Sequence, residues 1–251
     1  MPVCQHCGII AEQPFVKDNE VFCCERCYLR SVSIKEVIRR LDAAYRGTME
    51  VLVAALDARE CETHRHSERV AQYTRFLAEK MDVKGGDLED IYRGALLHDI
   101  GKIGIPDAIL LKPTSLTEEE WKVMKKHPEM GRQILSNVDF LKPASEIVFT
   151  HEERFDGSGY PQRLQGKHIP LGSRIFAVMD AMDAMAFDRP YRKAIPFDAI
   201  EAEILKGAGS QFDPKVVEAF RKNRPTFKEW IMRDQQEECE THGEHMARDD
   251  P

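Results

Sequence analysis

The fold of this chain is decided by one short stretch, Leu97-His98-Asp99-Ile100-Gly101-Lys102. A histidine and an aspartate lie side by side at the end of an apolar helical segment, and a lysine follows three residues after the aspartate. Such a pair, taken alone, is as typical of a helix cap or a polar surface as of a metal site. Its meaning depends on whether further histidines and carboxylates recur at helical positions elsewhere in the chain.

The composition is that of a globular protein. The chain has 251 residues, of which 42% are hydrophobic and 31% charged, which is enough for one sizeable core and a small appendage. The net charge of −7 argues against binding to nucleic-acid polymers. No apolar run reaches the length of a membrane span, and the first residues do not read as a signal peptide. We therefore expect a cytoplasmic protein without a membrane partner.

Five of the seven cysteines fall within the first 27 residues, where Cys4-x-x-Cys7 is followed by Cys23-Cys24-x-x-Cys27. Two such pairs can place four thiolates around Zn²⁺, and the metal would stabilise a segment too short to build a core. The spacing favours Cys4, Cys7, Cys24 and Cys27 as ligands, with Cys23 as the alternative to Cys24. The segment resembles small Cys-rich ribbons, and a redox dithiol or a different metal bound for sensing stays open.

The rest of the chain predicts helices. Apolar residues recur three and four positions apart over residues 32–58, which predicts a long amphipathic helix. Its apolar stripe indicates core packing, and a dimer-forming helix, hence a homodimer, is the alternative. Helical periodicity, a capping box at Thr117 and helix-ending Gly and Pro residues continue to the C-terminal region. The sequence therefore predicts an all-α fold, with a small hairpin in the Cys-rich segment.

Four segments follow from this reading. Residues 1–30 form the Cys-rich ribbon, residues 31–48 a connector helix, residues 49–223 the main helical domain and residues 224–251 an acidic tail. The tail contains Cys239, His242 and His245 at spacings that a metal could use, but a solvated, partly disordered segment is favoured.

Metal-ligand residue types recur at the ends of several predicted helices. Asp180 is unusual because it follows the apolar run 175–179, where a charged side chain is costly unless it is paired or binds a metal. Nitrogen and carboxylate ligands favour iron, manganese or zinc. An aspartate between histidines can bridge two ions, and such a pair of ions can hold a phosphate. The residues concerned are His66, His98, Asp99, His127, His151, Glu152 and Asp180.

The order and spacing of the motifs over about residues 49–220 resemble the HD-GYP branch of the HD phosphohydrolase superfamily. This resemblance implies an all-α HD-domain bundle with a bi- or trinuclear metal centre. It also implies hydrolysis of cyclic di-GMP, a bacterial second messenger, to pGpG or GMP. The resemblance is carried chiefly by His66-Ser67-Glu68-Arg69-Val70, His98-Asp99-Ile100-Gly101-Lys102-Ile103-Gly104-Ile105-Pro106, His127-Pro128-Glu129-Met130-Gly131, His151-Glu152-Glu153-Arg154-Phe155-Asp156-Gly157-Ser158-Gly159-Tyr160-Pro161 and Asp180-Ala181-Met182-Asp183-Ala184.

The same resemblance implies roles for individual residues. It makes Asp99 the bridging carboxylate, and it makes Lys102 a contact to the substrate phosphate. The implied metal ligands are His66, His98, Asp99, His127, His151 and Asp180. The residues expected to contact substrate are Lys102, Arg154, Gly159, Tyr160, Arg189 and Arg192. The loop around Gly159-Tyr160-Pro161, together with the Cys-rich segment, is where we expect other signalling proteins to bind.

Two acidic positions stay open. Glu152 stands where the family usually has a second histidine, and it can coordinate iron or manganese while adding negative charge beside an anionic substrate. Glu62 lies one helical turn before His66, at a position that serves a third metal in some family members. For both residues the alternative is a solvated carboxylate at a helix end.

We expect an enzyme in which a metal-activated water attacks phosphorus in line with the leaving 3′ oxygen, and Lys102 stabilises the phosphoryl charge. We expect two divalent ions, or three if Glu62 or Glu152 is also a ligand, with iron or manganese favoured. Glu152 sustains the alternative of a weakly active or inactive protein that binds cyclic di-GMP. The third hypothesis is a phosphodiesterase that acts on another cyclic dinucleotide.

Overall fold

The structure, a computed structural model, describes residues 2–11, 14–60, 66–188 and 192–246, with residues 60 and 238–246 described by their backbone alone. The sequence predictions for Glu62, Arg189 and the side chains of Cys239, His242 and His245 lie outside this description. Among the described residues, no helix is both long and apolar enough to cross a membrane.

The fold is all-α, as predicted, apart from one antiparallel ribbon. Strands β1 (Phe15–Lys17) and β2 (Glu20–Phe22) pair with Phe15 opposite Phe22. The chain divides into two compact units, Met1–Val51 and Leu52–Pro251. The helices that the structure describes are α1 (Glu25–Glu60), α2 (His66–Lys80), α3 (Gly85–Leu96), α4 (Asp107–Leu110), α5 (Glu118–Met124), α6 (His127–Leu135), α7 (Lys142–Thr150), α8 (Leu171–Ala186), α9 (Phe197–Lys206), α10 (Pro214–Lys222) and α11 (Arg224–Met246).

The first unit contains the predicted hairpin. Asp18 and Asn19 both have positive φ, at 52° and 60°, and such a pair between two strands is typical of a tight hairpin turn. Phe22 is 1% exposed and its ring meets that of Tyr28 edge to face, with centroids 5.4 Å apart. A small apolar contact therefore supports the hairpin, but it does not amount to a core.

Helix α1 begins seven residues earlier than predicted, at Glu25. Its apolar stripe does not form core over the first part of the helix, because Ile34, Val37, Ile38 and Leu41 are 49–62% exposed. The interpretation as core packing is therefore wrong for these four positions. On the polar side of the same helix, Glu36 forms ion pairs with Arg39 and Arg40, one helical turn away.

The second unit is built around α8. This helix packs against α2, α3, α7, α9 and α10, and Ile175, Phe176 and Met179 on it are at most 1% exposed. The predicted capping box begins α5, where the side chains of Thr117 and Glu120 each accept a backbone N–H from the other residue. The helices around α8 bring their ends, and hence the residues at those ends, to one side of this core.

The acidic tail differs from the expectation of a partly disordered segment. The backbone is helical from Arg224 to Met246, so α11 is longer than the short helix that the apolar residues suggested. Phe227 is fully buried between Phe76 and Phe220, and the Tyr73 hydroxyl donates to Asp234 at 2.5 Å. Aromatic packing and a partly buried hydrogen bond thus hold the first half of α11 against α2.

Candidate metal centre

Six of the predicted ligand side chains converge in two groups. The first ligand group consists of His66, His98 and Asp180, and the second ligand group of Asp99, His127 and His151. Within each group, one nitrogen or oxygen atom from every residue lies within 4.8 Å of the others. Together these six residues are called the histidine-aspartate centre below.

Asp99 lies between the two groups. Its Oδ2 is 3.0 Å from His98 Nε2, whereas its Oδ1 is 3.4 Å from His127 Nε2 and 3.7 Å from His151 Nε2. Lys102 Nζ lies 2.8 Å from Oδ2. Burial opposes the charged form, but the positive charges of His98 and Lys102 hold the pKa of Asp99 well below its usual value. The carboxylate is therefore ionised, and its two oxygens face different ligand groups.

Three of the histidines share one local structure, which follows from their place just after a helix end or at a helix start. The Nδ1–H of His98, His127 and His151 donates to the backbone carbonyl three residues earlier, at 2.9, 2.9 and 2.7 Å. These carbonyls belong to the last turns of α3, α5 and α7, where backbone acceptors lack an intrahelical partner. The hydrogen bond fixes Nδ1 as a protonated nitrogen and directs Nε2 towards the centre, where it can bind a metal once it carries no proton.

Burial also keeps two of these rings neutral. It lowers the pKa of both His127 and His151 to about 4, and the charge of a neighbouring histidine adds to the effect. Their Nε2 atoms lie 3.1 Å apart. Two neutral imidazole nitrogens at this separation, beside an ionised carboxylate, suit a divalent cation.

His66 is oriented by a side chain that the sequence analysis did not assign. Its Nδ1–H donates to Asp183 Oδ2 at 2.6 Å, and Asp183 Oδ1 in turn accepts from Arg69 Nε at 2.8 Å. The Arg69 guanidinium stacks over the Phe187 ring, 3.6 Å from its centroid. Burial opposes protonation, but the hydrogen bonds to Asp180 and Asp183 raise the pKa of His66 to about 10. Asp183 follows Asp180 by one helical turn, and this spacing in an apolar helix is a sequence signal for it.

Glu152 lies at the edge of the second ligand group rather than within it. Its Oε1 is 3.9 Å from His127 Nε2, and its side chain is 41% exposed. Burial raises the pKa of Glu152, whereas its hydrogen bond with Tyr160 opposes that shift. The Tyr160 ring lies 6.5 Å from that of His127, and Lys125 Nζ lies 5.2 Å from the Tyr160 ring centroid. Tyr160 thus lies beside the second ligand group, and its contact with substrate stays a prediction.

The other predicted substrate contacts that the structure describes are bonded within the chain, Arg154 in its own loop and Arg192 to helix α8. Arg154 Nε donates to Ser158 Oγ at 3.1 Å, and the exposed Arg192 donates to the backbone carbonyl of Ala184. A Cβ atom at Gly159 would lie 2.4 Å from the Arg154 backbone nitrogen, so only glycine permits this close approach.

The first unit holds a second candidate metal site, the cysteine group of Cys4, Cys7, Cys23 and Cys27. The Sγ–Sγ distances are 3.3 Å between Cys23 and Cys27, 3.7 Å between Cys7 and Cys23, and 4.0 Å between Cys7 and Cys27. Tetrahedral zinc with Zn–S bonds of about 2.3 Å separates its sulfurs by roughly 3.8 Å. The four thiols therefore suit a tetrahedral ion.

The fourth member of this group differs from the sequence expectation, which favoured Cys24. Cys23 and Cys27 are four residues apart across the start of α1, one helical turn, and so their side chains share a side. Cys24 is exposed and lies outside the group. Burial alone would raise the pKa of the Cys4 thiol. Hydrogen bonds from the backbone of Cys7 and Cys23 outweigh this effect and lower the pKa to about 6. Cys4 is thus readily available as a thiolate.

The sequence is similar to those of known proteins. The chain matches the HD domain family over residues 50–216. A cyclic di-GMP phosphodiesterase of Thermotoga maritima is 42% identical over 205 residues, which cover 81% of this chain and 56% of that protein. A 3'3'-cGAMP-specific phosphodiesterase of Vibrio cholerae is 42% identical over 169 residues, which cover 66% of this chain and 32% of that protein. The chain thus spans about half, or less, of the length of these relatives.

A solved structure also shares the fold. The crystal structure of a cyclic GMP-AMP-specific phosphodiesterase of Vibrio cholerae aligns with a TM-score of 0.57 over 74% of this chain and 52% of that one. At 18% identity this likeness concerns the fold alone. The family match covers well over half of the sequence and includes every residue of the histidine-aspartate centre. The chain therefore belongs to the HD domain family, in the HD-GYP branch that its motifs indicate.

Proposed function

We propose that this protein is a metal-dependent phosphodiesterase that hydrolyses cyclic di-GMP to pGpG or GMP in bacterial second-messenger signalling. The observation that carries the proposal is the position of Asp99, whose two oxygens face two separate groups of nitrogen and carboxylate ligands. Membership of the HD domain family implies a divalent metal. The relative from Thermotoga maritima, a cyclic di-GMP phosphodiesterase, supports the choice of substrate.

The two ligand groups fit two divalent ions, with Asp99 as the shared ligand. Because the donors are imidazole and carboxylate without thiolate, iron or manganese is favoured. Such ions, when bound, supply Lewis-acid stabilisation of phosphoryl charge and lower the pKa of a water. Lys102, whose side chain is 16% exposed, offers an ammonium group beside Asp99 for a phosphate oxygen. In this proposal Lys102 stabilises the charge that develops as the 3′ oxygen leaves.

Glu152 is proposed to reduce the rate rather than to abolish turnover. Its carboxylate is close to His127 and adds negative charge where an anionic substrate must bind. The same charge supports the alternative of a weakly active protein that binds the nucleotide. A 3'3'-cGAMP substrate is the other alternative, supported by the relative of that specificity at 42% identity.

For the first unit we propose a structural zinc site at the cysteine group. The support is the set of sulfur–sulfur distances and the lowered pKa of Cys4. Among the described residues of this unit the buried apolar side chains are few, with Phe22 the largest, so metal binding would supply much of the folding free energy.

We also propose that α1 joins two copies of the chain. Ile34, Ile38, Leu41 and Leu52 fall at alternating three- and four-residue positions of one heptad repeat, and each is 49–54% exposed. A second copy of the same helix is the partner that a heptad repeat matches, since an isologous interface uses the same surface patch on both copies. The charged side of the helix, around Glu36, is neutralised by its own ion pairs and needs no partner of opposite charge.

The first prediction concerns turnover. Chain loaded anaerobically with iron or manganese is expected to convert cyclic di-GMP to pGpG or GMP, measured by chromatography against a 3'3'-cGAMP arm. Glu152→His is expected to raise kcat by about tenfold, since one like charge near the substrate is worth on the order of 1–2 kcal/mol. Glu152→Gln is the matched control, which removes the charge without adding a ligand. Tight cyclic di-GMP binding with no product under any metal would contradict the proposal.

The second prediction concerns Asp183. Asp183→Asn is expected to lower metal affinity by about 10- to 100-fold, because the hydrogen bond that orients His66 is weakened. Asp188→Asn, whose ion pair with Lys193 is exposed, is the control and should leave affinity unchanged. Metal titration followed by electron paramagnetic resonance measures both, and equal affinities would show that Asp183 does not support the centre.

The third prediction separates the two adjacent cysteines. Cys23→Ser is expected to lose about one equivalent of zinc per chain, whereas Cys24→Ser should retain it, because only Cys23 lies in the cysteine group. Metal analysis of chain whose other centre is loaded with manganese gives the zinc content. Loss in Cys24→Ser alone would restore the ligand set favoured by sequence spacing, and loss in neither would reject the zinc site.

The fourth prediction concerns self-association. Light scattering is expected to give about twice the chain mass of 28.8 kDa for the wild type and the single chain mass for Leu41→Glu. Ala43→Glu, two residues further on and on the opposite side of the helix, should remain dimeric. A monomeric wild type at micromolar concentration would overturn the proposed dimer.

A further inference from the structure

Arg59 forms several hydrogen bonds to the backbone of the loop that carries Lys102. It lies in the last turn of α1, and its NH1 donates to the carbonyl oxygens of Lys102 and Ile103 at 3.0 and 3.2 Å. Its NH2 donates to the carbonyl of Ile105 at 2.6 Å. One guanidinium thus binds three carbonyls across four residues, which its planar arrangement of five N–H donors permits.

The opposite side of the same loop is fixed by close backbone packing. Residues Ile100–Gly104 form a short 3₁₀ helix, and a Cβ atom at Gly101 would lie only 1.9 Å from the carbonyl oxygen of His127. The loop is therefore confined between the start of α6 and the Arg59 guanidinium. Its backbone hydrogen bonds include Lys102 N–H to the Asp99 carbonyl and Ile105 N–H to the Lys102 carbonyl, and 3₁₀ bonds have poorer geometry than those of an α-helix.

We propose that Arg59 is a positioning residue for Lys102. This inference rests on the proposed function, because it assigns Arg59 to the phosphate contact that Lys102 makes there. The grip on the Lys102 carbonyl fixes the backbone from which the ammonium reaches to 2.8 Å from Asp99 Oδ2. Without it, the loop would keep its close packing at Gly101, and the carbonyls of Lys102, Ile103 and Ile105 would lose their guanidinium donor.

The ion pair of Arg59 is not what this proposal depends on. Arg59 also donates to Asp107 Oδ1 from Nε and NH2, at 3.0 and 2.6 Å, but the Asp107 side chain is 69% exposed. Exposed pairs of this kind contribute little. Asp107→Asn therefore serves as a matched control, because it removes the charge partner and keeps the three carbonyl contacts.

The kinetic test is a double-mutant cycle with Lys102→Ala. Arg59→Ala is expected to lower kcat by about 10- to 100-fold with little change in KM, since a misplacement of about 1 Å can cost that much. In the Lys102→Ala background the same substitution should have almost no further effect. Arg59→Lys should keep part of the wild-type kcat, and Asp107→Asn should keep nearly all of it. Equal losses in both backgrounds would overturn the positioning role.

A second readout does not depend on turnover. Hydrogen–deuterium exchange of the peptide covering residues 100–107 should rise in Arg59→Ala and stay at the wild-type level in Asp107→Asn. Unchanged exchange in Arg59→Ala overturns the inference even in an active enzyme. Raised exchange in a chain that turns over no cyclic dinucleotide supports the grip on the loop and counts against the proposed function alone.

Discussion

The ionised carboxylate of Asp99, largely enclosed at the meeting point of several helix ends, is the constraint on which the rest of the centre depends. A charge taken out of water is costly unless it is paired and hydrogen-bonded. Here the compensation comes from His98 and Lys102 on Oδ2, whereas the neutral rings of His127 and His151 face Oδ1 with Nε2 atoms that are available to a metal. These four residues surround a single side chain. His98 and Lys102 belong to the short run that contains Asp99, whereas His127 begins α6 and His151 follows α7.

Helix ends provide the second recurring element of this site. A helix leaves its last carbonyls without intrahelical donors, and its C-terminal end carries partial negative charge. His98, His127 and His151 each satisfy one such carbonyl and thereby direct Nε2 to the centre. The same ends favour a nearby cation. One structural feature thus selects the tautomer and contributes to the electrostatic attraction for metal.

Much of this arrangement could be predicted from the sequence, because helical periodicity and the spacing of histidines and carboxylates are both visible in it. Three features could not be read with equal ease. The exposure of Ile38 depends on what packs against α1, which periodicity alone does not reveal. The choice of Cys23 depends on the residue at which α1 begins. Arg59 bonds to backbone carbonyls, and such acceptors have no sequence signature.

The role of Asp183 can be predicted from its spacing along a helix, whereas the properties of Glu152 depend on its three-dimensional surroundings. Asp183 lies one turn from Asp180 on a helix of apolar residues, so its burial and its partner follow from periodicity once His66 is placed. Glu152 follows the end of α7, where burial disfavours the charged carboxylate and raises its pKa, and the charges of Asp99 and Asp180 add to that shift. A cation held beside it by His127 and Asp99 would relieve that cost. Because Glu152 Oε1 lies 3.9 Å from His127 Nε2, an ion held by the second ligand group would act directly on this carboxylate.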